Sequence, residues 1–154
     1  MKKQQSGFTL IELIMVIVVL GILAAFALPR FANLGQDARV ATLDGALGTV
    51  RSAAAIAHSV HLAKGTAVGA DVTLEGQAVK MANGYPTAAA DGIAVAAQLS
   101  ADFEAIVVTP ATTPPSIRIQ MKNAPTPASC SFIYNEAGST TAAPTYTART
   151  VSGC

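Results

Sequence analysis

The sequence predicts an α+β protein in which one long N-terminal helix, half transmembrane and half amphipathic, packs on a roughly four-stranded antiparallel sheet. The run 8–28 is apolar except for Thr9, Glu12 and Gly21. Over 30–62, apolar residues recur every three or four positions, which is typical of an amphipathic helix. The last third of the chain holds short segments with strand patterns, separated by loops rich in Pro, Thr, Ala and Ser.

The apolar run has the length of a membrane-spanning helix. About 20 apolar residues at roughly 1.5 Å each cross the hydrocarbon core of a bilayer. Lys2 and Lys3 precede the run, and positive charge of this kind stays on the cytoplasmic side. Glu12 is the exception, because a carboxylate inside such a segment is costly and marks a functional site. The alternative is that its side chain reaches the membrane interface, since Glu12 lies only four residues after Phe8.

Three interpretations of this N-terminus compete. A cleaved secretory signal would have small residues at an A-x-A-like site, and Ala25-Phe26-Ala27 is only a weak version of one. A simple signal anchor explains the length and the lysines but not Glu12. The third interpretation follows from a short basic leader, then Gly7-Phe8-Thr9-Leu10-Ile11-Glu12, then the long apolar helix. This pattern resembles the N-terminus of type IV pilins.

The resemblance assigns roles to particular residues. Residues 1–7 would be a cleaved leader, cut between Gly7 and Phe8 by a prepilin peptidase that also methylates the new amine of Phe8. Residues 8–29 would form the transmembrane and filament-core helix. Glu12 would set the register of assembly by pairing with the Phe8 amine of a neighbouring subunit. Physical chemistry supports this pairing, because a buried carboxylate requires a positive partner.

Gly21 and Pro29 are the predicted weak points of the first helix. Proline removes one backbone hydrogen bond and clashes with the preceding turn, so we expect Pro29 to kink the helix rather than end it. In filaments of similar proteins this section is loosened, which would allow lengthening under tension.

The segment 30–62 is predicted to continue the first helix into the head. Together the two halves would form a rod of roughly 50 to 55 residues, about 80 Å long. A rod with half its apolar surface outside any domain implies a partner, and a homopolymer is the simplest one. His58 and His61 are spaced for a metal, but no Cys or third His joins them, so we predict histidines that pack at the helix surface. The predicted apolar stripe comprises Val40, Leu43, Leu47, Val50, Ala54 and Ala57.

Residues 63–154 are predicted to form a β-rich head. Gly65 is expected to end the helix with a left-handed cap, and Asp91 to cap a short helix over 92–99. The alternation in 117–121 predicts a strand with one solvated face. A small hairpin is predicted within 72–81 and a turn at 83–86. Three further strands are predicted, one that ends at Val108, one over 131–134 and one over 145–151.

Cys130 and Cys154 are the two cysteines of the chain. In an exported protein an even pair favours a disulfide, whereas in the cytosol free thiols are expected. Since the N-terminus indicates export, we predict a Cys130–Cys154 disulfide that stabilises the fold by roughly 3 to 4 kcal/mol in the chain-entropy description. In type IV pilins a similarly placed disulfide-bounded region lies on the filament surface.

Composition and motifs exclude several classes of function. Of the ten basic residues two lie in residues 1–7, which leaves eight against nine acidic residues. This balance does not support nucleic-acid binding, which needs clustered Lys and Arg. The sequence contains no G-x-S-x-G, C-x-x-C, H-E-x-x-H or G-x-x-x-x-G-K pattern. We therefore predict no catalytic, cofactor-binding or metal-binding residues, and a protein that is not an enzyme.

The resemblance implies a structural subunit of an extracellular filament. Within the type IVa class, Asn83-Gly84-Tyr85-Pro86 and Ser152-Gly153-Cys154 look most like the mannose-sensitive haemagglutinin pilins. The subunit would wait in the inner membrane and then join a pilus on the cell surface that serves adhesion and biofilm formation. The implied partners are further copies of the chain, minor pilins, the prepilin peptidase and methylase, the inner-membrane assembly platform and an unidentified surface receptor.

Two alternatives stay open from the sequence. One is a pseudopilin of a type II secretion system. Such proteins usually carry a calcium site near the C-terminus and lack this cysteine pair, whereas the acidic residues here do not follow calcium-loop spacing. The other is a membrane-anchored periplasmic binding domain that never polymerises, which would keep its N-terminus and need no glutamate at position 12.

Overall fold

The computed structural model describes residues 8–32, 34–108 and 113–154. The chain divides into two compact units, the first ending at Asp37 and the second beginning at Ala38. The predicted fold class is confirmed, because long N-terminal helices precede a four-stranded antiparallel sheet.

The first helix, α1, spans Leu10–Ala32. It continues past Pro29, so the proline does not end it, as predicted. Asn33, which follows α1, lies outside the described residues. The prediction that the two helices form one continuous rod falls on this residue and therefore stays a prediction.

The second helix, α2, spans Leu34–Lys64. The predicted stripe is confirmed at four positions, which are buried, while Val40 and Leu47 are partly buried. Gly65 follows the helix with φ of 59°, and its N–H donates to the Leu62 carbonyl at 3.2 Å, the left-handed cap expected of glycine. The buried residues of α2 are Leu43, Ala46, Val50, Ala53, Ala54, Ala57 and His61.

Two short hairpins and a helical turn follow α2. A π-helical turn, Ala90–Ala94, leads into a short helix, α3, Val95–Ala97. The predicted Asp91 cap is wrong, since Ala89 is the N-cap residue and no side chain caps the turn. The turn forms because the Ile93 N–H donates to the Thr87 carbonyl at 3.0 Å. The hairpins pair β1 (Val72–Leu74) with β2 (Gln77–Val79) and β3 (Met81–Ala82) with β4 (Tyr85–Pro86).

The main sheet has the order β5-β6-β7-β8 with antiparallel neighbours. The apolar stripe of α2 from Val40 to Ala54 packs with residues of β6 and β7 in one hydrophobic core, and Ala57 packs in a second cluster with residues of β1, β2 and β3. Burying a large aliphatic side chain of this kind stabilises a fold by about 1.5–3 kcal/mol. The strands are β5 (Phe103–Val107), β6 (Ser116–Met121), β7 (Ser131–Asn135) and β8 (Thr145–Tyr146).

Two sheet predictions need correction. Strand β6 is not half solvated, because five of its six residues are buried and only Arg118 is partly exposed. Cross-strand bonds cover its polar side: Gln120 Nε2 donates to Glu104 Oε2 at 3.1 Å, and the Ser116 hydroxyl to Asn135 Oδ1 at 2.7 Å. Strand β8 is also shorter than the predicted 145–151, with one further isolated bridge between Ser131 and Thr150.

Candidate functional site

The start of α1 is organised by three reciprocal hydrogen bonds between Thr9 and Glu12. The Glu12 Oε2 atom accepts from the Thr9 N–H at 2.8 Å and from the Thr9 hydroxyl at 2.7 Å. The Glu12 N–H donates in return to Thr9 Oγ1 at 3.3 Å. This is a capping box, in which two residues three apart satisfy each other's free backbone donors at a helix start. Within the subunit the carboxylate therefore has hydrogen-bond donors of its own.

Sequence reasoning missed Thr9. The signal was present, because Thr-x-x-Glu directly before an apolar run is the pattern of a capping box. Phe8 precedes it, with 92% of its surface exposed. Gly7, the other predicted cleavage residue, lies outside the described residues. The structure thus brings Glu12 together with Thr9 of its own chain, and its pairing with a Phe8 amine of another subunit stays a prediction.

The body of α1 is an apolar surface that none of the described residues covers. Leu10–Leu28 is long and apolar enough to cross a membrane by length and composition, and none of it is buried. At Gly21 an added Cβ would meet no atom within 4 Å. A helix that is apolar on all sides and bare requires lipid or other protein around it.

The C-terminal end of the head is closed by the disulfide that the sequence predicts. Cys130 and Cys154 are joined, with their Cα atoms 4.8 Å apart and both side chains buried. Arg39 of α2 donates from Nε to the Cys154 carbonyl. Gly153 is required beside the disulfide, because an added Cβ would run into the Thr126 backbone oxygen.

The two histidines of α2 hold a turn. His58 stacks on Tyr85 with ring centroids 4.1 Å apart and planes within 5°, and its Nδ1 donates to the Gly84 carbonyl at 2.8 Å. His61 is buried, and the Thr66 hydroxyl lies 2.7 Å from its Nδ1. In the described part of the chain, no group of three or more His, Cys, Asp or Glu could hold a metal ion. The predicted packing role of both histidines agrees with these contacts.

A buried tyrosine ties the same turn to the sheet. The Tyr134 hydroxyl donates to the Pro86 carbonyl at 2.6 Å. Burial raises the pKa of Tyr134 far above its usual range, with smaller contributions from Tyr146, Glu136 and Tyr85. Tyr134 meets the ring of Tyr146 edge to face at 5.6 Å. Burial likewise raises the pKa of Tyr146.

The chain combines an exposed apolar helix of membrane-spanning length, a glutamate in the capping box of that helix, and an α+β head with a disulfide. These features define a class of proteins with an N-terminal segment long enough to cross a membrane. Residues 2–28 match the family described as "Prokaryotic N-terminal methylation motif". The matched residues cover most of the predicted leader, the predicted cleavage point and most of α1.

Similar curated proteins match the N-terminal third of the chain. The type IV narrow pilus major component PilA5 of Thermus thermophilus is 56% identical over 52 residues, which are 34% of this chain and 45% of that protein. The type IV major fimbrial protein FimA of Dichelobacter nodosus is 43% identical over 53 residues, 34% of each chain. The type II secretion system core protein G of Pseudomonas aeruginosa is 42% identical over 52 residues, 34% of this chain and 37% of that protein.

The chain thus spans less than half the length of the curated relatives it matches. No solved structure matches it significantly. The comparisons show that the chain carries the N-terminal methylation motif and that its N-terminal third is homologous to type IV pilins.

Proposed function

We propose that this chain is the structural subunit of an extracellular type IV pilus. The precursor resides in the inner membrane, loses residues 1–7 to a prepilin peptidase, receives a methyl group on the Phe8 amine, and joins the filament through its assembly platform. The observation that carries this proposal is the methylation motif over residues 2–28 on a helix whose apolar surface is bare.

The physical argument concerns where α1 finds apolar surroundings. Each large aliphatic side chain moved out of water contributes about 1.5–3 kcal/mol. Lipid supplies this environment to the precursor, and the helices of other copies supply it in a filament. The apolar side chains of α1 gain about as much from lipid as from neighbouring helices, so they do not fix how far one helix is shifted along another. Glu12 can fix this axial register, because a buried carboxylate favours a cationic neighbour. The Phe8 amine exposed by cleavage is such a cation.

The first test is mass spectrometry of the chain sheared from the cell surface. We expect a species that begins at Phe8 and carries one methyl group on its amine. Glu12→Ala is expected to be cut and methylated normally while electron microscopy shows few or no filaments. An intact Met1 with no surface filament would overturn the proposal and support a membrane-anchored domain. Normal piliation by Glu12→Ala would remove the assigned role of Glu12.

We further propose that the filament serves adhesion and biofilm formation and that the chain is closest to the mannose-sensitive haemagglutinin pilins. The support is the turn at Asn83-Gly84-Tyr85-Pro86, which α2 holds through the His58 stack, and the Ser152-Gly153-Cys154 ending. Minor pilins and a surface receptor are the partners that this role requires. Deletion of the chain is expected to reduce surface attachment and biofilm mass, with complementation by the unmodified gene as the control.

A second candidate is a pseudopilin of a type II secretion system. The similarity to core protein G of Pseudomonas aeruginosa favours it. The disulfide between Cys130 and Cys154 favours the pilin, because pseudopilins usually lack such a pair. Loss of exoprotein secretion on deletion, with no surface filament in the parent strain, would favour the pseudopilin.

A further inference from the structure

A groove runs between α2 and the segment that follows β8. Its larger part encloses about 700 Å³, within the range of small-molecule sites. Asp44, Gly48 and Arg51 of α2 form one side, and Tyr146 and Arg149 form the other. At Gly48 an added Cβ would meet no atom within 4 Å, so this glycine leaves the groove open along its helical side. We call this feature the α2 groove.

The α2 groove concentrates positive charge on a neutral head. From Ala38 to Cys154 the chain carries seven Lys or Arg and seven Asp or Glu. Arg51 and Arg149 line the α2 groove with Asp44 as its one acidic residue. Arg149 Nε lies 3.0 Å from Asp44 Oδ1, which fixes this guanidinium at the wall of the groove. The local excess is therefore one positive charge, and it resides on Arg51.

Arg51 is positioned to receive an oxyanion such as a carboxylate or sulfate group. Its Cζ lies 5.1 Å from the centroid of the Tyr146 ring, a cation–π contact that occupies the face of the guanidinium. Among the residues that the structure describes, no carboxylate lies within 4.0 Å of it. The in-plane N–H donors of arginine form a fork that matches carboxylate and sulfate groups.

A second cavity of about 280 Å³ adjoins the first at Arg51 and is counted here as part of the α2 groove. Arg51 and Tyr146 line both parts, and the stacked pair of His58 and Tyr85 borders the second. Along α2 the two parts extend from Asp44 to Ser59, about 22 Å at 1.5 Å per residue. This length suits an oligosaccharide rather than a single sugar ring.

We propose that the α2 groove binds an acidic polysaccharide chain, with the guanidinium of Arg51 receiving a carboxylate or sulfate group and Tyr146 contacting the sugar ring beside it. The combination of a cation and aromatic rings along two adjoining cavities carries this assignment. The proposal deepens the adhesive role proposed above and rests on that role only for the purpose of binding in the cell. Binding itself requires only the head and no filament.

Nucleic acid fits the same groove less well. Affinity for a phosphate backbone comes from many Lys and Arg contacts along the strand, and this groove offers two arginines, one of them already paired with Asp44.

The test uses the full chain in detergent micelles, immobilised for biolayer interferometry. The probes are polygalacturonate for carboxylates, chondroitin sulfate for sulfates, neutral dextran, and single-stranded DNA. We expect saturable binding of one or both acidic polysaccharides that weakens as NaCl is raised. Dextran and DNA are expected not to bind at the same concentrations.

Matched variants separate the α2 groove from general charge effects. Arg51→Gln is expected to weaken binding about tenfold or more, as for loss of a hydrogen-bonded charge. Gly48→Leu should fill the groove and abolish binding. The controls are Lys122→Gln, which removes the same charge elsewhere, and Gly45→Leu, at a helical glycine that is equally open but lies outside the groove. Near-UV circular dichroism confirms that each variant folds.

Several results would overturn the proposal. They are the absence of saturable binding to either acidic polysaccharide, equal binding of dextran or DNA, or unchanged affinity in folded Arg51→Gln and Gly48→Leu. None of these bears on filament formation, which is scored separately by electron microscopy. Failure of this proposal is therefore distinguishable from failure of the proposed pilin role.

Discussion

Removal of the disulfide should destabilise the head by an amount that follows from its loop. The bond joins residues 24 apart in sequence. In the chain-entropy description, cross-linking a loop of this length removes unfolded-state entropy worth about 3.5 kcal/mol at 25 °C. We expect the double variant Cys130→Ala, Cys154→Ala to lose this much from its free energy of unfolding, a large part of the stability of an ordinary domain.

The measurement is equilibrium unfolding by denaturant of the full chain in detergent micelles. All three tyrosines, Tyr85, Tyr134 and Tyr146, lie in the second unit, and the chain has no tryptophan. The tyrosine bands of the near-UV circular dichroism spectrum therefore report on the head and not on α1. The wall of the α2 groove from Tyr146 to Arg149 lies inside the disulfide loop, so affinity for acidic polysaccharide should fall in the same variant.

A reducing agent provides the matched control. It should lower the stability of the unmodified chain to that of the double variant and leave the double variant unchanged. A loss below about 1 kcal/mol would refute the reasoning, because it would mean that other contacts already restrict this segment in the unfolded chain.

Further substitutions test the start of α1 and the packing of the head. Glu12→Gln keeps a capping-box residue but removes the charge, so we expect cleavage and methylation to persist while filaments are lost. Thr9→Val breaks the capping box but keeps the charge, so we expect filaments to form. The reverse pattern would contradict pairing between the Glu12 carboxylate and the Phe8 amine. Because folding raises the pKa of Tyr134, the stability that its neutral hydroxyl contributes is complete below pH 10 and falls above pH 10, by up to about 1.4 kcal/mol per pH unit. Tyr134→Phe should therefore flatten the alkaline decline of the unfolding free energy. An unchanged slope would contradict this contribution of Tyr134. Gly153→Ala should lower the unfolding free energy by about 1–3 kcal/mol through overpacking. Gly138→Ala is the control, because there is room for a methyl group at that position, and it should not lower the unfolding free energy. Equal losses in the two variants would contradict the close approach at Gly153.

Local patterns were sufficient for much of the fold. The apolar run, the stripe of α2 and the order of strands follow from periodicity, which depends only on neighbours in sequence. The disulfide followed from the presence of two cysteines in an exported chain. The capping box of Thr9 is also a local pattern, because Thr-x-x-Glu before an apolar run is visible in the sequence alone.

The corrections arise where distant residues decide. Strand β8 ends early because the Thr147 hydroxyl accepts from the Ile133 N–H at 3.0 Å, in place of a backbone carbonyl. The burial of β6 depends on β5 and β7 lying on both sides of it, which alternation within one strand does not reveal. The Asp91 cap was wrong because Thr87 closes the turn through its backbone. The α2 groove likewise joins residues about 100 positions apart, such as Asp44 and Arg149.

The bonds from Thr9 to Glu12 bear on how the proposed pilin would be stored before assembly. A carboxylate that already accepts hydrogen bonds from its own chain would gain less from pairing with a second copy in the membrane. If the chain is a pilin, incorporation into the filament would exchange these bonds for the Phe8 amine of a neighbour. The filament end, and not the membrane pool, would then determine when a subunit is incorporated.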